Sequence, residues 1–258
     1  MKREHVISID PSRCIRCGAC QRDCPQEMFV VNDICAEVTA QDCMKCGHCV
    51  AICPQNAVSI SGFDDAPEEI AQAIKTEPEA LLTLMKGRRS IRQFVSQDVP
   101  SEIVDKIIEA GRYTPTGRNR QGVSYIVLRE HIGEYEKLAV SLLRRLQPIV
   151  GLFLKPYRHF QINDNFIFKG APVVIVIKSD NATDGALAAS AMEIMARAYG
   201  VGVLYSGMFA LIAGLSRKLK RKLSTASRGK IVTALVLGYS AVKYYRTAQR
   251  ERPIVQYY

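Results

Sequence analysis

The spacing of apolar residues predicts a mixed architecture of helices and strands for the longer, C-terminal part of the chain. Apolar residues recur at intervals of three or four in segments that we interpret as helices. The predicted helices cover residues 67–76, 79–86, 101–112, 134–146 and 184–199. Short runs rich in β-branched residues predict strands at 123–128, 173–177 and 231–237. Helices that cover a central sheet are typical of an α+β fold.

Two further stretches have a different pattern. Residues 147–170 have no clear periodicity, and a long irregular stretch in a compact domain is often a lid or a substrate loop. Residues 198–216 form an apolar run almost as long as the roughly 20 residues that span a bilayer. Glycines interrupt this run, so we interpret it as a helix end followed by a buried or subunit-interface helix, and we expect no membrane span.

The N-terminal part contains an internal duplication of cysteines. The first run is Cys14, Cys17, Cys20 and Cys24 followed by Pro25, and the second, 29 residues later, is Cys43, Cys46, Cys49 and Cys53 followed by Pro54. A polar, turn-forming stretch follows at residues 61–67. We therefore predict two domains, residues 1–62 and residues 63–258.

Both cysteine runs have the spacing of bacterial ferredoxins that bind four-iron four-sulfur (4Fe-4S) clusters. Three thiolates on one tight loop wrap three corners of a cubane, and the fourth corner needs a distant ligand. In two-cluster ferredoxins the fourth cysteine of each run serves the other cluster. This rule assigns one cluster to Cys14, Cys17, Cys20 and Cys53, and the other to Cys43, Cys46, Cys49 and Cys24. Tetrahedral zinc is the alternative, and two complete four-cysteine runs, each with its trailing proline, favour clusters.

Two residues near the runs receive no ligand role. Cys35 repeats no spacing and is interpreted as a small buried apolar residue, and His48 is expected to shield or tune a cluster. Nine cysteines in a secreted chain would suggest disulfides, but residues 1–5 do not resemble a signal peptide. We therefore expect a reducing, cytoplasmic location.

The formal net charge of +10 is concentrated in one segment. Its basic residues are Arg217, Lys218, Lys220, Arg221, Lys222, Arg228 and Lys230. A solvated helix face is the simpler interpretation, and a docking surface for an acidic electron donor or an anionic cofactor is the alternative. Because no aromatic residues interleave with these charges to stack on bases, we expect no nucleic-acid partner.

A second basic segment has the composition of a phosphate site. Arg88, Arg89, Ser90 and Arg92 place three guanidinium groups and a hydroxyl within five residues, and arginine forks match the geometry of phosphate oxygens. Apolar residues flank these charges, which suggests a segment held against a core. With its Arg-Arg-Ser-x-Arg-x-Phe sequence ending at Phe94, the segment resembles the nitroreductase family, in which this motif holds the FMN phosphate.

Three later segments add to this resemblance. Residues 110–121 are similar to the family loop Ala-Pro-Ser-x-x-Asn-x-Gln, residues 200–207 to its Gly-x-Gly loop, and residues 237–239 to its closing Leu-Gly-Tyr. The resemblance implies contacts to the flavin ring from Pro115, Thr116, Asn119 and Gln121, and contacts near the flavin N5 edge from Tyr205, Ser206 and Gly207. It also nominates Lys243 and Arg246 for the phosphate site.

Together the resemblances imply an α+β protein in which a small two-cluster ferredoxin-like domain precedes an FMN-binding nitroreductase-like domain with a mainly antiparallel central sheet. Clusters carry single electrons and FMN also handles pairs, so we expect an enzyme that reduces a small organic acceptor such as a nitro compound, a quinone or an ene. An electron-transfer or flavin-handling protein without its own substrate is the alternative. No residue qualifies as a catalytic acid or base, since Tyr113, Tyr205 and His159 are more often packing or surface residues.

The expected partners follow from the same features. No Gly-x-Gly-x-x-Gly motif follows a predicted strand in a βαβ unit, so we expect a low-potential one-electron donor such as ferredoxin. NAD(P)H stays an alternative, because many relatives accept hydride directly on the flavin. The usual homodimer of the family implies a homodimer here, with residues 208–215 in the interface.

Overall fold

The computed structural model describes residues 4–40, 42–70, 76–153, 160–224 and 229–258. The chain divides into two compact units. The first unit contains Met1–Lys75 and a short later segment, Gly117–Arg120. The second unit contains Thr76–Thr116 and Gln121–Tyr258.

The first unit is built from two small antiparallel sheets and two short helices. Strand β1 (Ile7–Ile9) pairs with β4 (Val58–Ile60), and β2 (Phe29–Val31) pairs with β3 (Ala36–Val38). Helices α1 (Ala19–Arg22) and α2 (His48–Ala51) follow the cysteine loops. The buried core of this unit consists of Cys20, Met28, Phe29, Ala36, Cys49 and Val58.

The duplication seen in the sequence recurs in the backbone. Three pairs of positions, each 29 residues apart, share left-handed φ values: 58° and 59° at Arg16 and Lys45, 69° and 76° at Gly18 and Gly47, and 50° and 49° at Glu27 and Asn56. Left-handed backbone is uncommon outside glycine, so its repetition at matched positions marks two copies of one cysteine loop.

A four-stranded antiparallel sheet forms the centre of the second unit, in the order β5-β6-β8-β7. The strands are β5 (Ser124–Leu128), β6 (Val173–Ser179), β7 (Gly202–Tyr205) and β8 (Lys230–Gly238). Every residue of β6 is buried, because helices cover both faces of the sheet. Alternate residues of the strands therefore supply two separate apolar cores.

The described residues of this unit form six α-helices. They are α3 (Pro78–Lys86), α4 (Ser101–Arg112), α5 (Ile132–Phe153), α6 (Ala182–Ala198), α7 (Gly207–Leu215) and α8 (Arg217–Lys222). Helices α4 and α6 pack on one face of the sheet, where Ile107 and Met192 are fully buried. Helices α5, α7 and α8 pack on the other face through residues such as Val140, Phe209 and Leu219.

The predicted α+β class, with a mainly antiparallel sheet flanked by helices, is confirmed. Three local predictions need correction. Residues 67–70 are not helical, and residues 71–75 of that predicted helix lie outside the described residues. The predicted irregular stretch at 147–170 begins as helix, because α5 continues through Pro148 to Phe153. Residues 198–216 divide into β7 and α7, and no helix of the described residues is long and apolar enough to cross a membrane.

Candidate functional site

Two cavities in the first unit each collect four cysteines. One is lined by Cys14, Cys17, Cys20 and Cys53, and the other by Cys43, Cys46, Cys49 and Cys24. Each cavity therefore combines three cysteines of one run with the fourth cysteine of the other run. This is the grouping that the ferredoxin rule predicts.

Backbone amides point at the sulfur atoms of these cavities. Four N–H groups donate to sulfur: Met28 to Cys24 (3.4 Å), Ala36 to Cys14 (3.5 Å), Lys45 to Cys43 (3.3 Å) and Ala57 to Cys53 (3.2 Å). Such hydrogen bonds stabilise thiolate over thiol and tune the reduction potential of a cluster. The donor set of each cavity, four sulfurs with amide support, thus fits a 4Fe-4S cluster.

Burial acts against the thiolate form at two of these positions. Desolvation raises the pKa of Cys49 to about 11, and it also raises the pKa of Cys20. The positive charge of iron, when bound to these sulfurs, would offset this penalty, since a coordinating thiol is deprotonated by its metal.

Cys35 and His48, the two residues near the cysteine runs that received no ligand role, have partners nearby. Cys35 is buried, is not among the residues that line either cavity, and its N–H donates to Asn32 Oδ1 at 2.9 Å. His48 Nδ1 lies 3.1 Å from Asp23 Oδ2, so an exposed contact joins the residue before Cys24 to the residue before Cys49.

In the second unit, the segment that contains Ser90 lies along strand β7. Ser90 forms a parallel bridge with Val203, and the Ile91 N–H donates to the Val203 carbonyl at 3.0 Å. Gly202 makes this approach possible, because a Cβ there would lie 2.7 Å from Ile91 Cγ1. The predicted phosphate segment and the predicted Gly-x-Gly loop are therefore neighbours in the fold.

Arg88 is held by a buried carboxylate. Its Nε lies 2.8 Å from Glu193 Oε1 and donates to Glu193 Oε2 at 3.0 Å. The Glu193 side chain is only 9% exposed, whereas that of Arg88 is 36% exposed. Because Nε is the only Arg88 side-chain atom with a partner among the described residues, its two terminal nitrogens stay available to an anion.

The C-terminal basic residues come close to Arg89. Its Nη2 donates to the carbonyl oxygen of Arg246 at 3.2 Å, and its guanidinium carbon lies 5.7 Å from the centre of the Tyr244 ring. Lys243 is exposed, with Nζ 5.3 Å from the ring centre of Tyr245. Arg92 is also exposed, and its Nη1 donates to the Ser90 carbonyl at 3.3 Å. The structure thus brings the main chain of residue 246 to the Arg88–Arg92 segment.

The predicted N5-edge residues lie where β7 ends and α7 begins. The Tyr205 hydroxyl donates to the Ala189 carbonyl at 2.9 Å, and burial, followed by the charge of Glu193, raises the pKa of Tyr205 far above its ordinary range. Ser206 caps α7 by accepting from the Phe209 N–H at 3.4 Å. Gly207 borders open space, since a Cβ there meets no atom within 4 Å.

The predicted ring-side loop is divided between the two units. Thr116 Oγ1 accepts from the Gln121 N–H at 3.0 Å within the second unit, and Pro115 and Gln121 are exposed there. Asn119 instead belongs to the first unit, where its Nδ2 donates to the carbonyl oxygen of Lys45 at 2.7 Å. Of the proton-donor candidates, Tyr113 is 71% exposed and His159 lies outside the described residues.

Two residues of α6 were missed by the sequence analysis. Glu193 pairs with Arg88, and Arg197 Nε donates to the Leu84 carbonyl at 3.1 Å. Residues four apart lie on the same side of a helix, so one side of α6 fixes both ends of the segment from Leu84 to Arg88. The available signal was this charged i, i+4 pair in a helix otherwise dominated by alanine and methionine.

The basic helix α8 has a solvated face, with Leu219 as its buried anchor. Its side chains Arg217, Lys218, Lys220, Arg221 and Lys222 are exposed. Lys222 Nζ lies 2.6 Å from Glu134 Oε2, and this hydrogen bond raises the pKa of Lys222 and lowers that of Glu134. Arg228 lies outside the described residues. Most of the charge therefore faces solvent.

Comparison with known proteins gives a family match to each part of the chain. Residues 6–54 match the 4Fe-4S dicluster domain, and residues 85–239 match the Nitroreductase family. A curated relative from Methanothermobacter thermautotrophicus, provisionally named NADH dehydrogenase/NAD(P)H nitroreductase, is 24% identical over 51% of this chain and 62% of its own length. The iodotyrosine deiodinase of Nematostella vectensis is 28% identical over 29% of this chain and 28% of its own length. The chain thus spans less than two thirds of either relative.

Solved structures share the fold of the second unit. A nitroreductase with bound FMN from Bacteroides fragilis superposes with a TM-score of 0.55 at 20% identity, covering 68% of this chain and 98% of its own. An FMN-dependent nitroreductase from Clostridium difficile superposes with a TM-score of 0.58 at 17% identity, covering 69% of this chain and 98% of its own.

The comparisons confirm the predicted fusion of a 4Fe-4S dicluster domain with a nitroreductase domain. The family match covers residues 85–239, more than half of the chain, and it includes the basic segment that lies along β7 as well as β7 itself. The chain therefore belongs to the nitroreductase family.

Proposed function

We propose that the protein is an iron-sulfur flavoenzyme that takes up single electrons and reduces a small organic acceptor, such as a nitro compound, a quinone or an ene. The main observation in support is that one chain combines two four-cysteine cavities with a nitroreductase domain. When bound, the clusters supply one-electron transfer and FMN supplies the conversion from single electrons to pairs. A nitroreductase domain alone does not need eight cluster ligands to accept hydride, so the fusion favours one-electron entry.

For the FMN phosphate we propose Arg88, Arg89, Ser90 and Arg92, with Lys243 and Arg246. Arg88 offers two terminal nitrogens, and Glu193 fixes the direction of its guanidinium through Nε. Arg89 and Ser90 are half-buried beside Arg88, and partial desolvation strengthens hydrogen bonds to a charged group. Arg92, Lys243 and Arg246 are more exposed than Arg89 and Ser90, and they add positive charge. This set fits a phosphate dianion.

For the flavin ring we propose Pro115, Thr116 and Gln121 with Tyr205, Ser206 and Gly207. Gly207 is the first residue of α7 and borders open space, so its N–H is accessible to a ring edge. Ser206 fixes the start of α7, since its hydroxyl accepts from the Phe209 N–H and its own N–H donates to the Ala234 carbonyl at 2.8 Å. The raised pKa of Tyr205 keeps that phenol protonated, and its hydroxyl donates to the Ala189 carbonyl, so Tyr205 is proposed as a packing contact to the ring and not as a base.

The partners are part of this proposal. A low-potential one-electron carrier such as ferredoxin is the proposed donor, and the exposed cations of α8 fit an acidic partner. A homodimer is proposed because α7 has one buried side, including Phe209 and Ile212, and two exposed leucines, Leu211 and Leu215, at 66% and 60%. We place the protein in the cytoplasm, where its thiols stay reduced.

An anaerobic acceptor screen tests the proposed reaction. Protein loaded with FMN and iron is reduced with dithionite, freed of excess reductant, and mixed with nitroaromatic, quinone and activated-ene compounds. At least one class is expected to reoxidise the flavin at a rate that saturates with acceptor concentration, since a binding site produces saturation. Flavin reoxidation by no class except oxygen would support the alternative, a carrier without its own substrate.

A further inference from the structure

The loop of the second cysteine run is held by a residue from far along the chain. Asn119 Nδ2 donates to the Lys45 carbonyl oxygen at 2.7 Å and lies 3.5 Å from the Met44 carbonyl oxygen. Residues Gly117–Arg120 belong to the first unit, although the residues on either side belong to the second. The half-buried Asn119 amide therefore lies on the turn between Cys43 and Cys46.

The direction of this hydrogen bond matters for the sulfur atoms. In a trans peptide the C=O and the N–H point in opposite directions. A donor that holds the Met44 and Lys45 carbonyls from outside therefore turns the N–H groups of Lys45 and Cys46 away from itself. The Lys45 N–H accordingly donates to Cys43 Sγ at 3.3 Å. Lys45 also has a φ of 59°, a costly conformation that needs external support.

The first cysteine run is supported differently. There Arg22 Nη1 donates to the Cys17 carbonyl at 2.9 Å, and Arg16 Nη1 donates to the Asp33 carbonyl at 2.6 Å. Both arginines belong to the N-terminal repeat itself. In the second copy the position of Arg22 is taken by Ala51, which has no donor in its side chain. The two loops are thus held differently: Asn119 holds the carbonyls of residues 44 and 45 in the second loop, whereas Arg22 holds the carbonyl of residue 17 in the first, the counterpart of residue 46.

The segment around Asn119 is itself strained. Arg118, Asn119 and Gln121 have left-handed φ values of 53°, 49° and 50°. Non-glycine residues in this region persist only where surrounding contacts hold them, and they concentrate at functional positions. The Thr116–Gln121 hydrogen bond closes the base of the loop at 3.0 Å, and the Arg120 N–H donates to the Gly117 carbonyl at 3.3 Å. These contacts present the Asn119 side chain at the loop tip.

We propose that Asn119 is a positioning residue for the second cysteine run: it holds the turn from Cys43 to Cys46 so that the Lys45 N–H faces Cys43 Sγ. This role goes beyond the proposed function and replaces the ring contact expected for Asn119. It rests on the presence of the second cluster and not on the identity of the acceptor or the donor.

Hydrogen exchange of the iron- and FMN-loaded protein, followed by mass spectrometry, tests this role. Asn119→Asp removes the donor but keeps a residue type that tolerates left-handed backbone, and Asn119→Gly removes the side chain altogether. Both variants are expected to exchange amides in residues 43–50 about two- to tenfold faster than the unsubstituted protein, with residues 14–21 unchanged. Arg22→Ala is the matched control, and it is expected to accelerate amide exchange at residues 14–21 alone.

Two results would overturn the proposal. One is unchanged exchange at residues 43–50 in both Asn119 variants together with weaker FMN binding, which would return Asn119 to the flavin. The other is equal acceleration at 43–50 and 14–21, which would mean a general loss of stability. Because the measurement requires no turnover, its failure would leave the proposed acceptor reduction standing.

Discussion

Arg88 and Glu193 form an ion pair across the second unit, with Arg88 Nε 2.8 Å from Glu193 Oε1. The pair joins the start of the basic segment to the middle of α6, 105 residues away. Since the carboxylate is more buried than the guanidinium, Glu193 fixes the pair and Arg88 faces outward. Arg88 therefore has two separable roles, one in folding through Nε and one in anion binding through its terminal nitrogens.

Arg88→Ala is expected to lower both stability and FMN affinity. Loss of charge-assisted hydrogen bonds to phosphate costs about 1.5–3 kcal/mol of binding, and a buried carboxylate left without its partner costs about 1–3 kcal/mol of folding. Adding Glu193→Gln to Arg88→Ala removes the unpaired charge, so stability recovers and FMN affinity does not. Urea unfolding and FMN titration of the single and double variants measure the two effects. A double variant no more stable than Arg88→Ala would contradict the folding role.

The crossed cluster ligands predict which cysteine variants share a phenotype. Cys24→Ala and Cys46→Ala are expected to perturb the same cluster, because both residues line one cavity, whereas Cys53→Ala belongs with Cys17→Ala. Low-temperature EPR of the reduced variants should give two classes of residual spectrum with these memberships. Cys35→Ser serves as the control, with iron content unchanged at about eight per chain. If the spectra instead grouped by cysteine run, with Cys24→Ala matching Cys17→Ala, the exchange of the fourth ligand between the two clusters would be refuted.

Glu136 gives a pH dependence of stability. It is buried on α5 and accepts from the N–H groups of Ile167 and Phe168, both at 2.8 Å, and desolvation raises its pKa above the ordinary 4.5. A raised folded-state pKa means that its contribution to stability is present below the unfolded pKa and is lost as pH rises through the folded pKa. Glu136→Gln keeps an acceptor oxygen without the charge.

The Glu136→Gln variant is therefore expected to gain stability relative to the unsubstituted protein as pH rises from 4.5 to 8. Urea unfolding at several pH values checks this expectation. Glu130→Gln, an exposed carboxylate just before α5, is the control and should show no such divergence. A Glu136→Gln curve parallel to that of the unsubstituted protein at every pH would show that the pKa of Glu136 is unchanged by folding.

The exposed cations of α8 are expected to accelerate the encounter with an acidic electron donor. Lys218→Glu should slow reduction by ferredoxin at low ionic strength, and the difference should shrink as salt screens the charges. Lys106→Glu is the control, because α4 packs on the opposite face of the sheet from α8. Equal effects of the α8 and α4 changes would mean that only net charge matters.

Local signals in the sequence predicted much of this fold. The apolar spacing of α4 and the β-branched runs of β6 and β8 were recognised because burial repeats with the period of each element. The prediction of an irregular stretch from residue 147 was wrong at its start, because a helix can continue past a proline such as Pro148 when neighbouring turns support it. The residue at which α5 ends could not be located from periodicity alone.

The candidate sites divide in the same way. The cluster ligands follow from spacing, since each run places three thiolates on one loop. Glu193 and the position of Asn119 depend on contacts between residues 105 and 74 positions apart, and no local pattern encodes such pairs. The resemblance to the family suggested a ring contact for Asn119, and only the three-dimensional structure shows its amide on the Lys45 carbonyl.

Electron entry through the clusters is the central claim, and anaerobic stopped-flow spectroscopy of flavin bleaching tests it most directly. The FMN-loaded protein is mixed with reduced ferredoxin or with NADH, both intact and as a variant in which Cys17 and Cys46 are replaced by alanine. We expect ferredoxin to bleach the flavin of the intact protein much faster than NADH, and the cysteine variant to lose that fast phase while keeping its FMN. Rapid bleaching by NADH that persists in the cysteine variant would contradict the account.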